Sequence, residues 1–332
     1  MTERAGRLLV IVVVVGTPLA VYGVRWALAR SEPGATVTLH ARMAEDGGWT
    51  PDHLAATVGQ PLRLRLTSDD VMHGFAVGRT DLPVVNVKPG QVSEVTLTFT
   101  RPGRYVFYCT RWCGVDHWRI RGTIDVAGDP VEAAAEMPPL YVRLGLDLDA
   151  PHPASPVPAH RPSAARGARL GVAIPAAYQS LDRYRSQSPA QLWSSLRTDT
   201  RTRQLSNADV WDLVALVARS HTTPAALEEG RRLYAANCAA CHGERGAGDG
   251  VMAAAIASRL RSFPRHGVTG PVDFTEPARL LGAGPALLQG KIVRGGMGTG
   301  MPYWGPIFTA AQTWALVDYV RTFQMDLEDP NE

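Results

Sequence analysis

The cysteine pattern limits most strongly what this chain can fold into. The chain has only four cysteines in 332 residues, and they form two close pairs. Cys109 is followed by Cys113, and Cys238 is followed by Cys241. Cysteines this close together seldom cross-link distant segments, so the pattern argues against a fold held together by disulfides. The two pairs instead indicate two separate sites for metal ligation or cofactor attachment.

The composition narrows the class of protein. The chain is 45% hydrophobic and 20% charged, which excludes a multi-span membrane protein, a disordered chain and a coiled coil. Its formal net charge of +3 is close to neutral for this length. A nucleic-acid partner is therefore not expected, nor is a polybasic membrane surface.

The N-terminus predicts a transmembrane anchor over residues 1–30. An uncharged stretch runs from Leu8 to Val24 and is followed by Arg25. As a helix it would be roughly 26 Å long, close to the thickness of a hydrocarbon core. A cleaved signal peptide is the alternative, because Ala27-Leu28-Ala29 has the small-x-small form of a cleavage site. Both interpretations export the rest of the chain.

Residues 35–127 predict one all-β domain. Apolar residues alternate with polar ones in several short runs, for example over 62–66 and 95–99. Pro-Gly pairs at 89–90 and 102–103 separate these runs as turns. Short strands at this spacing favour a Greek-key sandwich or barrel.

The remainder of the chain predicts a linker followed by helices. Residues 128–186 lack periodicity and include a Pro/Ala-rich tract, which is typical of an extended, semi-rigid linker. Helical spacing begins at 187 and divides into a segment over 187–222 and a domain over 223–328. Residues 205–217 share a Trp, Leu and Val pattern with 308–320. Either the first segment is a degenerate second copy of the following domain without its cysteine motif, or two amphipathic helices merely look alike.

The strongest motif is Cys238-Ala239-Ala240-Cys241-His242. C-x-x-C-H attaches haem c: the thiols of Cys238 and Cys241 add to the two vinyl groups, and His242 reaches the iron from one face. A second axial ligand is then expected downstream on a loop, and Met297 and Met301 are the candidates. A thioether ligand raises the iron potential, as suits electron transfer.

The second motif runs from Cys109 to His117, with His73 upstream. One Cys and two His on a β-sandwich would suggest mononuclear copper. The additional Cys113 allows two thiolates to bridge two copper ions, with one imidazole on each. Zinc remains an alternative for a Cys₂His₂ set, as does a disulfide between the two cysteines.

Two family resemblances connect these motifs. The segment CAACHGERGAGDG, the Met-Pro loop and the closing helix resemble class I cytochrome c domains, in which the Met before Pro is the second axial ligand. This resemblance implies Met301. The sequences DDVMHGF and PGRYVFYC, together with the Cys-x₃-Cys-x₃-His spacing, resemble the binuclear CuA cupredoxin domain of cytochrome c oxidase subunit II.

The subunit II resemblance implies a full copper ligand set and marks two departures from it. It implies His73, Cys109, Cys113 and His117 as side-chain ligands, with the backbone carbonyl of Arg111 as a further ligand. The family has a weakly bound Met where this chain has Ile120, and Glu where it has Arg111. The first change removes a thioether ligand, and the second puts a magnesium site of the family in doubt.

Together these features predict a multidomain protein with an N-terminal transmembrane helix, an all-β cupredoxin Greek-key sandwich and an all-α cytochrome c domain. One covalent haem c and two copper ions are the expected cofactors.

The resemblance implies an electron-entry subunit of a respiratory haem–copper oxidase in a bacterial cell membrane, with both domains on the outer side. Its partners would be a catalytic subunit I and a soluble cytochrome c or a quinol-oxidising complex. A related nitric oxide reductase and a stand-alone redox module are the alternatives. No dioxygen-reducing site is expected in this chain.

Overall fold

The chain forms two compact units, residues Met1–Ala134 and Ala135–Glu332. The computed structural model describes residues 12–17, 36–114, 116–129, 137–262, 269–296 and 299–328. Of the predicted anchor over 1–30, only a short π-helical turn, Val12–Gly16, belongs to these ranges. Within them no helix combines the length and the apolar character needed to cross a bilayer.

The first unit is a two-sheet β-sandwich, as the alternating sequence pattern predicts. One sheet has the strand order β2-β1-β4-β7 and the other has the order β3-β9-β8-β5-β6. Pairs β1–β4 and β3–β9 are parallel and the other neighbours are antiparallel. The strands are β1 Thr36–Ala41, β2 Trp49–Thr50, β3 His53–Thr57, β4 Pro61–Ser68, β5 His73–Val77, β6 Val85–Val87, β7 Ser93–Thr98, β8 Gly103–Cys109 and β9 Arg121–Ala127.

Alternation explains why this sandwich has one core. Strand β4 buries Leu62, Leu64 and Leu66, while the residues between them are exposed. Strand β5 differs because all five of its residues are buried. It lies inside its sheet, between β6 and β8, and His73 at its first position is therefore enclosed by the fold.

The second unit is helical. Its longest helices carry capping residues at their N-termini: Ser206 precedes one helix and Thr309 another, each in a capping box with the residue three positions on. The helices are α1 Leu140–Arg143, α2 Ala164–Arg169, α3 Leu181–Ser186, α4 Pro189–Thr198, α5 Asn207–Ser220, α6 Pro224–Asn237, α7 Ala239–His242, α8 Ala253–Ser262, α9 Pro277–Leu280, α10 Pro285–Arg294 and α11 Ala310–Arg321.

The prediction of an extended linker over 128–186 is wrong for the part that the structure describes, from residue 137 onward. This segment carries α1, α2 and α3 and packs on the helical unit. The backbone N–H of Ala154 donates to the Ala278 carbonyl, and that of Ala164 donates to the Asp326 carbonyl, both at 2.9 Å. Composition misled the prediction because small side chains, which are typical of linkers, also permit close packing: Ala164 is fully buried.

Helices α6 and α11 cross closely at a glycine. A Cβ on Gly230 of α6 would collide with the backbone carbonyl oxygen of Ala315 in α11. Helices α2 and α5 cross in the same way, since a Cβ on Gly167 would collide with the carbonyl oxygen of Asp212. Asp212 and Ala315 each follow the shared Trp of the two similar helix sequences. The two crossings therefore use equivalent positions.

We expect both crossings to depend on the missing side chain. Gly167→Val and Gly230→Val should each lower the free energy of unfolding by about 1–3 kcal/mol or more, because the added methyls must displace backbone. Ala236→Val, on the exposed side of α6, is the control and should cost less than about 0.7 kcal/mol. Chemical denaturation of the whole chain, followed by helical circular dichroism, measures the difference. Glycine variants as stable as the control would contradict these contacts.

Candidate copper and haem sites

Four predicted side chains converge at one end of the β-sandwich. The Sγ atoms of Cys109 and Cys113 lie 3.8 Å apart. The Nδ1 atom of His73 lies 3.7 Å from Cys109 Sγ, and the Nδ1 atom of His117 lies 3.8 Å from Cys113 Sγ. Each imidazole therefore faces one sulfur, and the two sulfurs face each other.

Strand pairing produces this arrangement. His73 begins β5 and Cys109 ends β8, and the two strands pair with Phe75 opposite Cys109. The loop after Cys109 turns back through a short 3₁₀ segment at His117–Arg119, which is preceded by Asp116 in the left-handed conformation. This turn brings His117 back to the two cysteines. Strand pairing brings His73 to the same place, although both cysteines follow it by more than thirty residues.

The two cysteines are free thiols and not a disulfide. Their sulfur separation of 3.8 Å is far longer than an S–S bond of about 2 Å. The hydrogen bond between the thiols lowers the pKa of Cys109, because the proton that they share stays on Cys113. The site thus stabilises a thiolate next to a second sulfur, a soft donor pair that suits copper.

Arg111 presents its backbone and not its side chain to this cluster. Its carbonyl oxygen lies 3.2 Å from Cys109 Sγ. Its side-chain Nε donates to the Asn86 amide oxygen on β6 at 2.7 Å. The carbonyl thus lies beside the Cys109 sulfur, while the Arg111 guanidinium is held by Asn86 of β6.

Asp70 is a functional residue that the sequence analysis missed. His73 is fully buried, and its Nε2 is bonded to Asp70 Oδ1 at 2.8 Å. Burial disfavours protonated His73, but its hydrogen bonds to Cys109 and Asp70 outweigh burial and raise its pKa. The carboxylate thus orients the ring so that Nδ1 faces the sulfurs. An acidic residue three positions before a candidate ligand was the available clue.

Ile120 stands where the resemblance expects a thioether, and it is a core residue. Its side chain is 1% exposed and belongs to the apolar core of the sandwich. Its backbone carbonyl accepts from the Cys109 N–H at 3.0 Å. This position therefore supports the ligand loop through its backbone and offers no side-chain donor.

The C-x-x-C-H motif lies on the turn between two helices. Cys238 directly follows α6 as its C-cap, and the short helix α7 carries Cys241 and His242. The backbone N–H groups of Cys241 and His242 both donate to the Cys238 carbonyl, at 3.1 and 2.9 Å. Both thiols are free, so the motif is available for haem attachment.

His242 is oriented by a backbone carbonyl thirty residues away. Its Nδ1 donates to the Val272 oxygen at 3.1 Å, and the Phe274 ring stacks on the imidazole at 4.5 Å. Burial lowers the pKa of His242, which favours the neutral imidazole that binds iron. With Nδ1 engaged, Nε2 is the atom free for a metal. Neither Val272 nor Phe274 was predicted, because only the fold brings them here.

The predicted second axial ligand lies on the segment between α10 and α11. The backbone carbonyl of Met301 accepts from the Gly296 N–H at 3.0 Å, which closes the loop after α10. Its side chain is half-buried. The other candidate, Met297, lies outside the described residues.

The helix pair α2 and α5 lacks a haem attachment motif at the position where the pair α6 and α11 has Cys238–His242. When Gly167 is aligned with Gly230, residues 175–179, Pro-Ala-Ala-Tyr-Gln, fall on the Cys-Ala-Ala-Cys-His of 238–242. Residues Ala176–Tyr178 form a short 3₁₀ turn where the second pair has α7. Both cysteines and the histidine are thus replaced, while the two alanines between them are kept.

Comparison with known proteins identifies both domains. Residues 50–126 match the family model of the periplasmic domain of cytochrome c oxidase subunit II, and residues 227–324 match that of cytochrome c. The chain therefore joins a subunit II-like domain to a cytochrome c domain.

Individual relatives match the first domain. Cytochrome c oxidase subunit 2 of Thermus thermophilus is 42% identical over 79 residues, which is 24% of this chain and 58% of that relative. A second subunit 2 sequence from that species has the same identity and is covered to 46%, so the chain spans about half the length of these relatives. Among solved structures, the periplasmic domain of cytochrome oxidase subunit II from Bradyrhizobium japonicum is 18% identical, with coverage of 30% of this chain and 88% of that one and a TM-score of 0.25.

We expect Asp70 to control copper binding through His73. Asp70→Asn should weaken copper affinity about 10–100-fold, because the imidazole loses the carboxylate that orients it. Asp69→Asn is a matched control, since Asp69 is bonded to His40 and Arg42 and not to a candidate ligand. Competition titration against a copper chelator measures both variants. Equal affinities for the two would show that Asp70 does not act on the site.

Proposed function

We propose that this protein is the electron-entry subunit of a respiratory haem–copper terminal oxidase. In this role it takes electrons from a cytochrome c into a haem c and passes them through a binuclear copper centre to a catalytic subunit. The observation that carries the proposal is the pair of facing cysteine sulfurs, each with its own histidine Nδ1 at less than 4 Å. The cytochrome c domain in the same chain supports it.

The residues fit a copper pair by their chemistry and their placement. Cys109 and Cys113 would bridge the two ions, while His73, His117 and the Arg111 carbonyl would complete the ligand set. Two copper ions bound in this way share one electron and change geometry little on reduction, which favours fast transfer. The fold enforces this rigidity, because His73 and Cys109 lie on paired strands and Asp70 holds the His73 ring.

The residues of the second site fit one covalent haem. Cys238 and Cys241 would attach it, and His242 and Met301 would bind the iron from opposite faces. When both axial positions are filled, a haem carries electrons and does not bind substrate. The Val272 carbonyl keeps the His242 ring oriented for this role, and burial favours its neutral form.

We further propose a single-pass anchor over residues 1–30 in a bacterial cell membrane, with both domains on the outer side. The uncharged stretch over 8–24, with arginines on both sides, supports it. The partners in this proposal are a catalytic haem–copper subunit in the membrane and a soluble cytochrome c or a quinol-oxidising complex as electron donor. A nitric oxide reductase of the same subunit plan is a second candidate, because Arg111 and Ile120 depart from the oxidase pattern.

Copper loading tests the central claim. The haem-matured, copper-loaded protein is expected to bind two copper ions per chain and to show EPR hyperfine structure from one electron shared by two copper nuclei. Cys113→Ser should abolish the shared-electron spectrum, because one bridge is lost. Cys241→Ser, which removes a haem attachment, is the control and should leave the copper spectrum unchanged. A single-copper spectrum or bound zinc in the unmodified protein would refute the proposal.

The number of haem groups per chain tests the prediction of a single haem c. We propose that helices α2 to α5 are a haem-free copy of the cytochrome c fold, because residues 175–179 replace the attachment motif. Side chains of this copy, among them Trp193, Leu196 and Trp211, form a buried apolar core. Pyridine haemochrome assay should therefore give one haem per chain. Two haems per chain would contradict this.

A further inference from the structure

The thioether ligand that the subunit II resemblance implies is missing from its expected position, which Ile120 occupies. Ile120 has no donor atom and is packed into the apolar core. Its Cα and Cγ2 atoms would be 3.5 and 3.6 Å from a Cβ on Gly48, so the segment before β2 lies directly against it. The same segment, which runs from the end of β1 to β2, contains Met43.

The Met43 sulfur lies beside the cysteine ligand loop. Its Sδ would be 3.0 Å, and its Cγ 3.9 Å, from a Cβ built on Gly114. Gly114 directly follows Cys113, so the thioether reaches the loop at the residue next to a bridging ligand. Because Gly114 has no side chain, nothing separates the sulfur from the backbone there. The Met43 side chain is half-buried, which leaves it partly covered by the loop it approaches.

The backbone of Met43 is tied to the same carboxylate that orients His73. The Met43 N–H donates to Asp70 Oδ2 at 2.6 Å, while Asp70 Oδ1 is bonded to His73 Nε2 at 2.8 Å. The Met43 carbonyl in turn accepts from the N–H groups of Asp46 and Gly48, at 3.0 and 3.1 Å. Asp70 thus positions two residues of the site at once, one on each carboxylate oxygen.

We propose that Met43 supplies the weak thioether ligand that Ile120 cannot supply. This inference rests on the proposed copper pair and adds a donor from a different segment of the sandwich. A thioether is a soft, neutral donor that suits copper, and such an axial ligand tunes the reduction potential of a copper–thiolate site. The Met side chain has three rotatable bonds, so the direction of Sδ can adjust to a metal ion.

Met72 provides a control within the chain. It adjoins the ligand His73 in sequence, yet its side chain is 42% exposed while His73 is fully buried. Met72 precedes β5, and its exposure places it toward solvent and not among the buried ligands. A substitution at Met72 therefore changes a nearby methionine without touching the proposed ligand.

Selenium labelling tests the assignment first in the protein with its unmodified sequence. The full chain is produced with selenomethionine and loaded with copper, and its X-ray absorption is recorded at the copper edge. A selenium neighbour in the copper shell is expected. It should vanish in Met43→Leu, a substitution of similar volume, and persist in Met72→Leu. The absence of selenium in the unmodified chain, or its persistence in Met43→Leu, would overturn the proposal.

The unlabelled proteins give a second measurement. Met43→Leu should keep two copper ions per chain, shift the EPR hyperfine pattern and raise the reduction potential, because a donor is lost. Met72→Leu should match the unmodified protein. If all three proteins show the same two-copper spectrum and potential, the Met43 assignment fails and the copper pair stands. If the unmodified protein lacks a two-copper spectrum, the proposed function itself fails.

Discussion

The antiparallel pairing of β5 with β8 is the contact on which the proposed copper site depends. It places the first residue of one strand, His73, next to the last residue of the other, Cys109. Because β5 lies inside its sheet and is buried on both faces, the pairing also removes His73 from water. The ligand loop then needs to return only Cys113 and His117 to a position that the sheet has already set. A slip of one residue in this register would turn the ligand side chains away from each other.

In both proposed sites, an imidazole is oriented by a hydrogen bond to the nitrogen that would not bind the metal. His73 uses Nε2 on the Asp70 carboxylate and leaves Nδ1 facing sulfur. His242 uses Nδ1 on the Val272 carbonyl and leaves Nε2. Both partners favour a protonated ring, and burial opposes them at both sites. At His73 the bonds to Cys109 and Asp70 outweigh burial and raise the pKa, whereas at His242 burial outweighs the Val272 bond and lowers the pKa. The two sites thus share an imidazole oriented by a hydrogen bond, but they differ in whether burial or hydrogen bonding decides the direction of its pKa shift.

The sequence was most informative where a short motif carries its own geometry. Alternation in β4 and the cysteine spacings predicted the sandwich and the two candidate sites, because neighbouring residues alone create those patterns. The segment over 137–186 was misjudged as a linker, since its small residues indicate flexibility in isolation and pack closely in the fold. Likewise, the two similar helix sequences did not indicate the close crossings that Gly167 and Gly230 make at equivalent positions.

The sequence by itself determined the chemistry of this protein: which thiols, imidazoles and thioethers it carries, and the local spacing within each motif. Only the tertiary structure decided which distant groups serve those motifs. No sequence motif assigns a role to Asp70, Val272 or Met43. Strand pairing and loop closure bring them to the candidate ligands. The physical reason is that hydrogen bonds and packing act across space, while a sequence pattern records only neighbours along the chain.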